Sequence, residues 1–368
     1  MKIEILKTDI TDTIKSLAKI TTNKGFAMLE NVKISAGQDG ATLTACNLEI
    51  QCEIKIPAKL YFTGECTINA KTFLAIIKEL KSQTIIIECV TEYNATIYAG
   101  KSQRTIETLP VVDFPIMHFE KELHSYNVRE IILKEMLLLA NCAKCKDHSR
   151  LALNGLLFSA GDNFSTVGCD GNRLAIVERD FENATQGKSE SIIPNDSISF
   201  ILHMLKDSFS NVQIMPSENF VRFTWDGITI LVRKFAGQYP NYRQVIPKTS
   251  EVKLQLNRLE FLNIIKRILP NCKIDKDKDS PKTIKIILTE NKLTISKASQ
   301  DGHTIEEFLP INYQTTKEIT IGFNPLFLSE TLEALENESV QFDLTDAMSA
   351  GMLSVDGFQF IAMPTRFR

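Results

Sequence analysis

Any catalysis in this chain would have to come from a small set of residues. Cys142 and Cys145 form the one close cysteine pair, at the C-x-x-C spacing that suits a redox couple or half of a zinc site. A structural zinc needs four ligands, and no second C-x-x-C or H-x-x-x-H accompanies the pair. The five histidines, at 118, 124, 148, 203 and 303, do not cluster. We therefore assign no metal and no cofactor. Asp147 beside His148, and Asp170 before Gly171, are the best acid–base candidates. None of the nucleophile-elbow, zinc-protease, phosphate-loop or dinucleotide motifs is present to support them. Asp170 reads more simply as a turn residue that bonds nearby backbone. The expectation is a protein that is not an enzyme.

The elements that would position these residues follow a regular plan. Six segments have the apolar spacing of amphipathic helices: 8–20, 70–80, 131–143, 195–206, 257–269 and 324–336. Thr8, Asn69, Asn195, Asn257 and Asn324 stand where capping residues belong. The helix centres recur about every 61–67 residues, which signals duplicated units. Between them lie β-branched runs broken by Gly, Asn or Asp. After odd-numbered helices the runs read strand, tight turn, strand, kinked polar segment, strand. After even-numbered helices they end in a proline. The chain parses as three similar domains, each of two helix-plus-antiparallel-sheet halves, an α+β class. Boundaries are expected near Glu122 and Glu251, giving segments 1–122, 123–250 and 251–368.

Composition sets outer limits. The 368 residues are 43% hydrophobic and 24% charged, values that exclude a disordered or collagen-like chain. No apolar run approaches the ~20 residues that cross a bilayer. The acidic start Met1-Lys2-Ile3-Glu4-Ile5 does not read as a signal peptide, so we expect a cytoplasmic protein. The eight cysteines then read as reduced thiols. Net charge is −3, so any attraction to an anionic partner depends on charge being segregated. The helical segments with their flanks carry about +6, which leaves about −9 for strands and loops. The last helix departs from this pattern, with Glu330, Glu333 and Glu336 and no basic residue.

Six short words occur in order along the chain. They are Leu109-Pro110-x-x-Asp113-Phe114-Pro115, Leu153-Asn154-Gly155, Asp170-Gly171-Asn172-Arg173-Leu174-Ala175, Tyr239-Pro240-Asn241-Tyr242-Arg243, Ile321-Gly322-Phe323-Asn324 and the tail Met363-Pro364-Thr365-Arg366-Phe367. Together with the threefold repeat they make the chain resemble the bacterial sliding clamps, the beta subunits of DNA polymerase III, from Met1 to Arg368. The resemblance implies a DNA clamp fold and a homodimeric ring. Such a ring encircles double-stranded DNA without sequence preference and serves as processivity factor in DNA replication. It also implies that replicative polymerase, clamp loader and repair proteins dock through short peptides.

Site residues follow from the same resemblance. The peptide-binding cleft would use Leu153, Gly171, Asn172, Arg173, Leu174, Pro240, Val245, Phe327, Met348, Met363, Pro364 and Arg366. The DNA-facing set would include Lys24, Lys144, Lys146, His148 and Arg150. At the dimer interface, Lys71, Lys78, Lys101 and Arg104 would face Ile268, Leu269, Asp301, Glu306 and Glu307, opposite signs around an apolar patch. The chain departs from the family pattern at Cys169, Asn172, Gln244 and Phe327, which puts its peptide preference in doubt. The competing reading is a non-ring DNA-binding or adaptor protein built from repeats. It would need a recognition helix or a strongly basic face.

Overall fold

The structure is a computed structural model that describes residues 1–22, 25–121, 123–161, 163–180, 188–273, 283–298, 304–314 and 318–366. It repeats one motif six times: an entering strand, a helix and a run of three strands. The first copy holds β1 (Lys2–Leu6), α1 (Lys7–Leu17), β2 (Asn31–Gly37), β3 (Gly40–Cys46) and β4 (Ile50–Ile56), followed by an extra strand, β5 (Lys59–Phe62). The second holds β6 (Gly64–Asn69), α2 (Ala70–Glu79), β7 (Thr84–Thr91), β8 (Asn94–Ala99) and β9 (Ser102–Glu107). The third holds β10 (Tyr126–Arg129), α3 (Glu130–Asn141), β11 (Gly155–Ala160), β12 (Phe164–Cys169) and β13 (Arg173–Arg179). The fourth holds β14 (Ser189–Pro194), α4 (Asn195–Met204), β15 (Asn211–Pro216), β16 (Phe220–Trp225) and β17 (Ile228–Arg233). The fifth holds β18 (Val252–Asn257), α5 (Arg258–Lys273), β19 (Ile284–Thr289), β20 (Lys292–Ala298) and β21 (Thr304–Pro310). The sixth holds β22 (Ile319–Phe323), α6 (Pro325–Ala334), β23 (Ser339–Leu344), β24 (Gly351–Val355) and β25 (Phe358–Ala362).

Neighbouring copies interlock by trading entering strands. β1 pairs with β7 of the second copy, Ile3 opposite Ile87, while β6 pairs with β2 of the first, Ile34 opposite Cys66. The fifth and sixth copies do the same through β18–β23 and β19–β22, and β10 joins β15 of the fourth. Each trade makes two halves depend on one another for a complete sheet.

The chain forms two compact units, Met1–Lys134 with Phe181–Lys234, and Glu135–Asp180 with Phe235–Arg368. In the first, one sheet runs β5-β1-β7-β8-β9 and another β10-β15-β16-β17-β4-β3-β2-β6. In the second, β11-β12-β13-β25-β24-β23-β18 run side by side, and a separate sheet runs β21-β20-β19-β22. The segment 123–250 thus contributes to both units, because β17 is hydrogen-bonded to β4 and β13 to β25.

Alternation along each strand puts one face in a core, as with buried Ile3 and Ile5, or Ile284, Ile286 and Leu288. Helical spacing does the same on α1, where Ile10, Ile14 and Leu17 are buried, and on α5, where Phe261, Ile265 and Ile268 are buried. Two of the five expected caps are displaced. Asn69, Asn257 and Asn324 accept backbone N–H from Thr72, Glu260 and Leu326. Thr8 and Asn195 instead lie inside α1 and α4, which follow directly on Leu6 and Pro194 with no side-chain cap. The entering strands run straight into these helices, and the Lys7 N–H bonds the carbonyl of Gln83 across the sheet. α5 also outlasts its expected end at 269 and carries Pro270 in its last turn, where a missing N–H is best tolerated near a helix end.

Candidate functional site

The turn entering β13 organises the site. The Asp170 carboxylate accepts N–H from Asn172 and Arg173 at 2.9 and 3.0 Å, and its other oxygen accepts the Arg173 Nε at 2.9 Å. Gly171 sits at φ +90°, and a Cβ there would come within 2.8 Å of the Arg150 guanidinium. Both facts call for glycine. The Arg173 side chain, 6% exposed, also donates to Glu330 of α6 and stacks over the Phe327 ring at 4.2 Å. Beneath it, Thr331 bonds the Cys142 sulfur, and burial pushes that thiol up to about 11.

The C-terminal tail is laid against this turn. β25 pairs with β13, Ala362 opposite Arg173, and the contact continues as the Met363 N–H donates to the Asn172 carbonyl at 2.8 Å. One step further on, the Thr365 N–H donates to the carbonyl of Gly322. Gly171, Asn172, Arg173, Phe327, Met363 and Pro364 are therefore gathered in one place. Leu153 joins through Arg150, whose carbonyl accepts the Leu153 N–H and whose guanidinium donates to the Asp170 carbonyl. Leu174 is 2% exposed and opposes Ile361, so it forms floor and not surface. Pro240, Val245, Met348 and Arg366 stand on exposed segments. The Met348 turn is fixed by Asp346, which accepts N–H from both Met348 and Ser349. Met348 and Val245 present 76% and 49% of their surface, as an apolar docking surface requires.

The loop after α3 carries the second group of expected residues. Lys146, His148 and Arg150 are exposed and Lys144 half-exposed. Asp147 braces the loop by accepting the Ser149 hydroxyl and amide at 2.7 and 2.9 Å, and these bonds hold its carboxyl below the usual range. Arg150 lies 3.5 Å from the same carboxylate. Asn154 bonds the Nδ1 of His148 at 2.9 Å. Lys144 and Lys146 make no ion pair with any described residue, which leaves their ammonium groups for an outside anion. Lys24 lies outside the described residues.

Several helix cations are committed internally, which corrects the reading of every basic helix residue as a potential anion contact. Lys134 pairs with Asp207, Lys266 with Glu333, and Arg267 makes a two-pronged contact with Glu307 at 2.6 and 2.7 Å. These pairs also explain the acidic last helix, since Glu330 and Glu333 are the partners of Arg173 and Lys266. Lys19 meets His203 Nδ1 at 3.2 Å, and burial, then Lys19 and Lys15, keeps that imidazole below its ordinary value.

Of the expected seam residues, Lys71, Lys78, Lys101 and Arg104 are exposed, the last on β9, an outer strand of its sheet. Glu306 and Glu307 lie on β21, likewise an outer strand. Ile268 must be withdrawn as a seam residue. It is fully buried on the inner face of α5, and only the half-buried Leu269 beside it reaches the surface. Asp301 lies outside the described residues. The sequence did not reveal Asp170 and Glu330 as the groups that hold Arg173. The Asp170-x-x-Arg173 spacing is the one local signal, and Glu330 is distant in sequence.

Among the described residues no group of His, Cys, Asp and Glu is arranged to hold a metal, and no helix is long and apolar enough to cross a membrane.

Comparison with known proteins covers nearly the whole chain. Residues 1–118, 127–241 and 243–365 match, in turn, the profiles for the N-terminal, central and C-terminal domains of the DNA polymerase III beta subunit. The Beta sliding clamp of Chlamydia trachomatis is 25% identical over 370 residues, spanning 100% of this chain and 87% of that protein. The one from Pseudomonas putida is 26% identical over 92% of each chain. Among solved structures, the Bacillus subtilis DNA polymerase sliding clamp superimposes with a TM-score of 0.93 at 22% identity, and a Pseudomonas aeruginosa sliding clamp bound to griselimycin with 0.93 at 23%, both over 100% of each chain.

Proposed function

We propose, from the premise that this chain belongs to the DNA polymerase III beta subunit family, that two copies close head to tail into a ring threaded by duplex DNA. It is a sliding clamp, a processivity factor that keeps the replicative polymerase on its template. Topology supplies the retention, so nothing needs to grip a base. We read the domains as 1–122, 123–250 and 251–368, and the site of action as the cytoplasm. The mechanism uses binding alone and assigns no residue to catalysis.

The observation that carries the reading is the pair of open sheet edges. β9 and β21 come from the two ends of the chain's repeat, each with one side unpaired. An unpaired edge accepts another strand. Lys101 and Arg104 mark one edge, Glu306 and Glu307 the other, so unlike edges attract and like edges repel. A heterologous contact of that kind closes a ring only if the rotation between copies closes, and three domains from each of two copies supply it. The apolar floor and exposed methionines around Arg173 receive a short partner peptide, and adaptable methionine suits more than one partner. Lys144, Lys146, His148 and Arg150 face the DNA backbone.

Sedimentation tests the seam. The chain should run as a dimer, and Lys101→Glu with Arg104→Glu should shift it to monomer while circular dichroism stays unchanged. A dimer that persists in the double variant would place the seam elsewhere.

A further inference from the structure

Cys66 and Cys89 lie on strands of different sheets, β6 and β7. Three contacts bring them together. Met1 exchanges both backbone hydrogen bonds with Cys89, each at 2.9 Å. Gly64, two residues before Cys66, lies so near Met1 that an added Cβ would come within 3.1 Å of it. The Cys66 thiol itself hydrogen-bonds the Cys89 sulfur. Both thiols are free and buried, at 4% and 7% exposure. Beside Cys89 the β7–β8 register slips, which gives the backbone local freedom to adjust.

We propose that Cys66 and Cys89 are a peroxide-responsive dithiol that closes to a disulfide between the two sheets. The two sulfurs differ in character. The hydrogen bond from Cys66 lowers Cys89 toward its thiolate, while the same bond and then burial raise Cys66. Cys89 is therefore the attacking sulfur. Its thiolate takes one oxygen from hydrogen peroxide and becomes a sulfenic acid, with hydroxide leaving. The Cys66 sulfur then attacks that sulfenic sulfur, the S–O bond breaks and water departs. Two thiols and one peroxide thus become one disulfide and two waters. The bond staples β6 to β7 and closes the loop that carries α2, with exposed Lys71 and Lys78 on it. Other half-buried thiols, Cys142 and Cys169, have no cysteine partner in hydrogen-bonding contact.

The test treats the full-length native protein with hydrogen peroxide, blocks remaining thiols and digests with trypsin. Expected is a linked pair of peptides, 60–71 with 82–101, two hydrogens lighter than their sum and separated by dithiothreitol. The link should be lost when peroxide is added in urea. In Cys66→Ser the pair should vanish, and Cys89 should instead be trapped as a sulfenic acid by dimedone. Should Cys66→Ser not fold, Cys89→Ser serves the same purpose, with the linked pair absent. Peroxide-treated native protein whose Cys66 and Cys89 stay reduced, or link to other cysteines, overturns the proposal.

Discussion

Arg173 ties three parts of the chain to one point: the β13 turn through Asp170, α6 through Glu330, and the ring of Phe327 beneath it. Its charge is buried and fully engaged, so removing it strands a partly buried Asp170 carboxylate. Arg173→Ala should lower stability by about 2–3 kcal/mol, the scale of lost hydrogen bonds to a charged group, read as a lower urea midpoint. It should also weaken binding of a clamp-directed peptide in a titration. A variant with wild-type midpoint and affinity would show that the network is decorative. Asp147 supplies the second residue-scale prediction. Its folded pKa lies below the ordinary value, so its bracing of the loop is present above the unfolded pKa and fades as pH falls through the folded one. The Ser149 amide resonance should shift on acidification, and in Asp147→Asn that titration should be absent. The sequence marked Asp170 as a turn residue and Arg173 as a site residue on separate grounds. It could not show the Glu330 contact, because a salt bridge spanning 157 positions leaves no local trace.

At the scale of elements, helices and their spacing were legible because amphipathic periodicity is a local property. The trading of β1 and β6, or of β18 and β22, was not. Strand pairing between distant segments has no short-range signature, and the entering strands are only four to six residues long. Burial also decided what periodicity could not. Ile268 and Leu269 are adjacent apolar residues, and only the fold shows which one faces the core. The same holds for charge. Counting lysines along helices overstated the free cations, since Lys134, Lys266 and Arg267 are paired within the chain. The loop 144–150 keeps its unpaired lysines, so the DNA contact should concentrate there. Lys146→Glu with Arg150→Glu should weaken binding to DNA of any sequence alike. It should also flatten the salt dependence by about one log unit per lost phosphate contact. An unchanged salt slope would remove this loop from the interface.

For the whole molecule, six interlocked copies give continuous sheets that cross the expected domain boundaries at β4–β17 and β13–β25. Such joints resist bending between domains, because hydrogen-bonded ladders and not loose linkers connect them. A stiff chain with sticky, oppositely charged ends suits closure on a second copy better than open-ended assembly. Retention by enclosure, and not by affinity, is the claim on which the rest depends. The direct measurement loads the protein onto primed circular DNA with a clamp loader, washes in high salt, and compares the circle with the same DNA cut once. Enclosure predicts that protein stays on the circle through the wash and leaves from the cut ends. Equal retention on circular and linear DNA would contradict it.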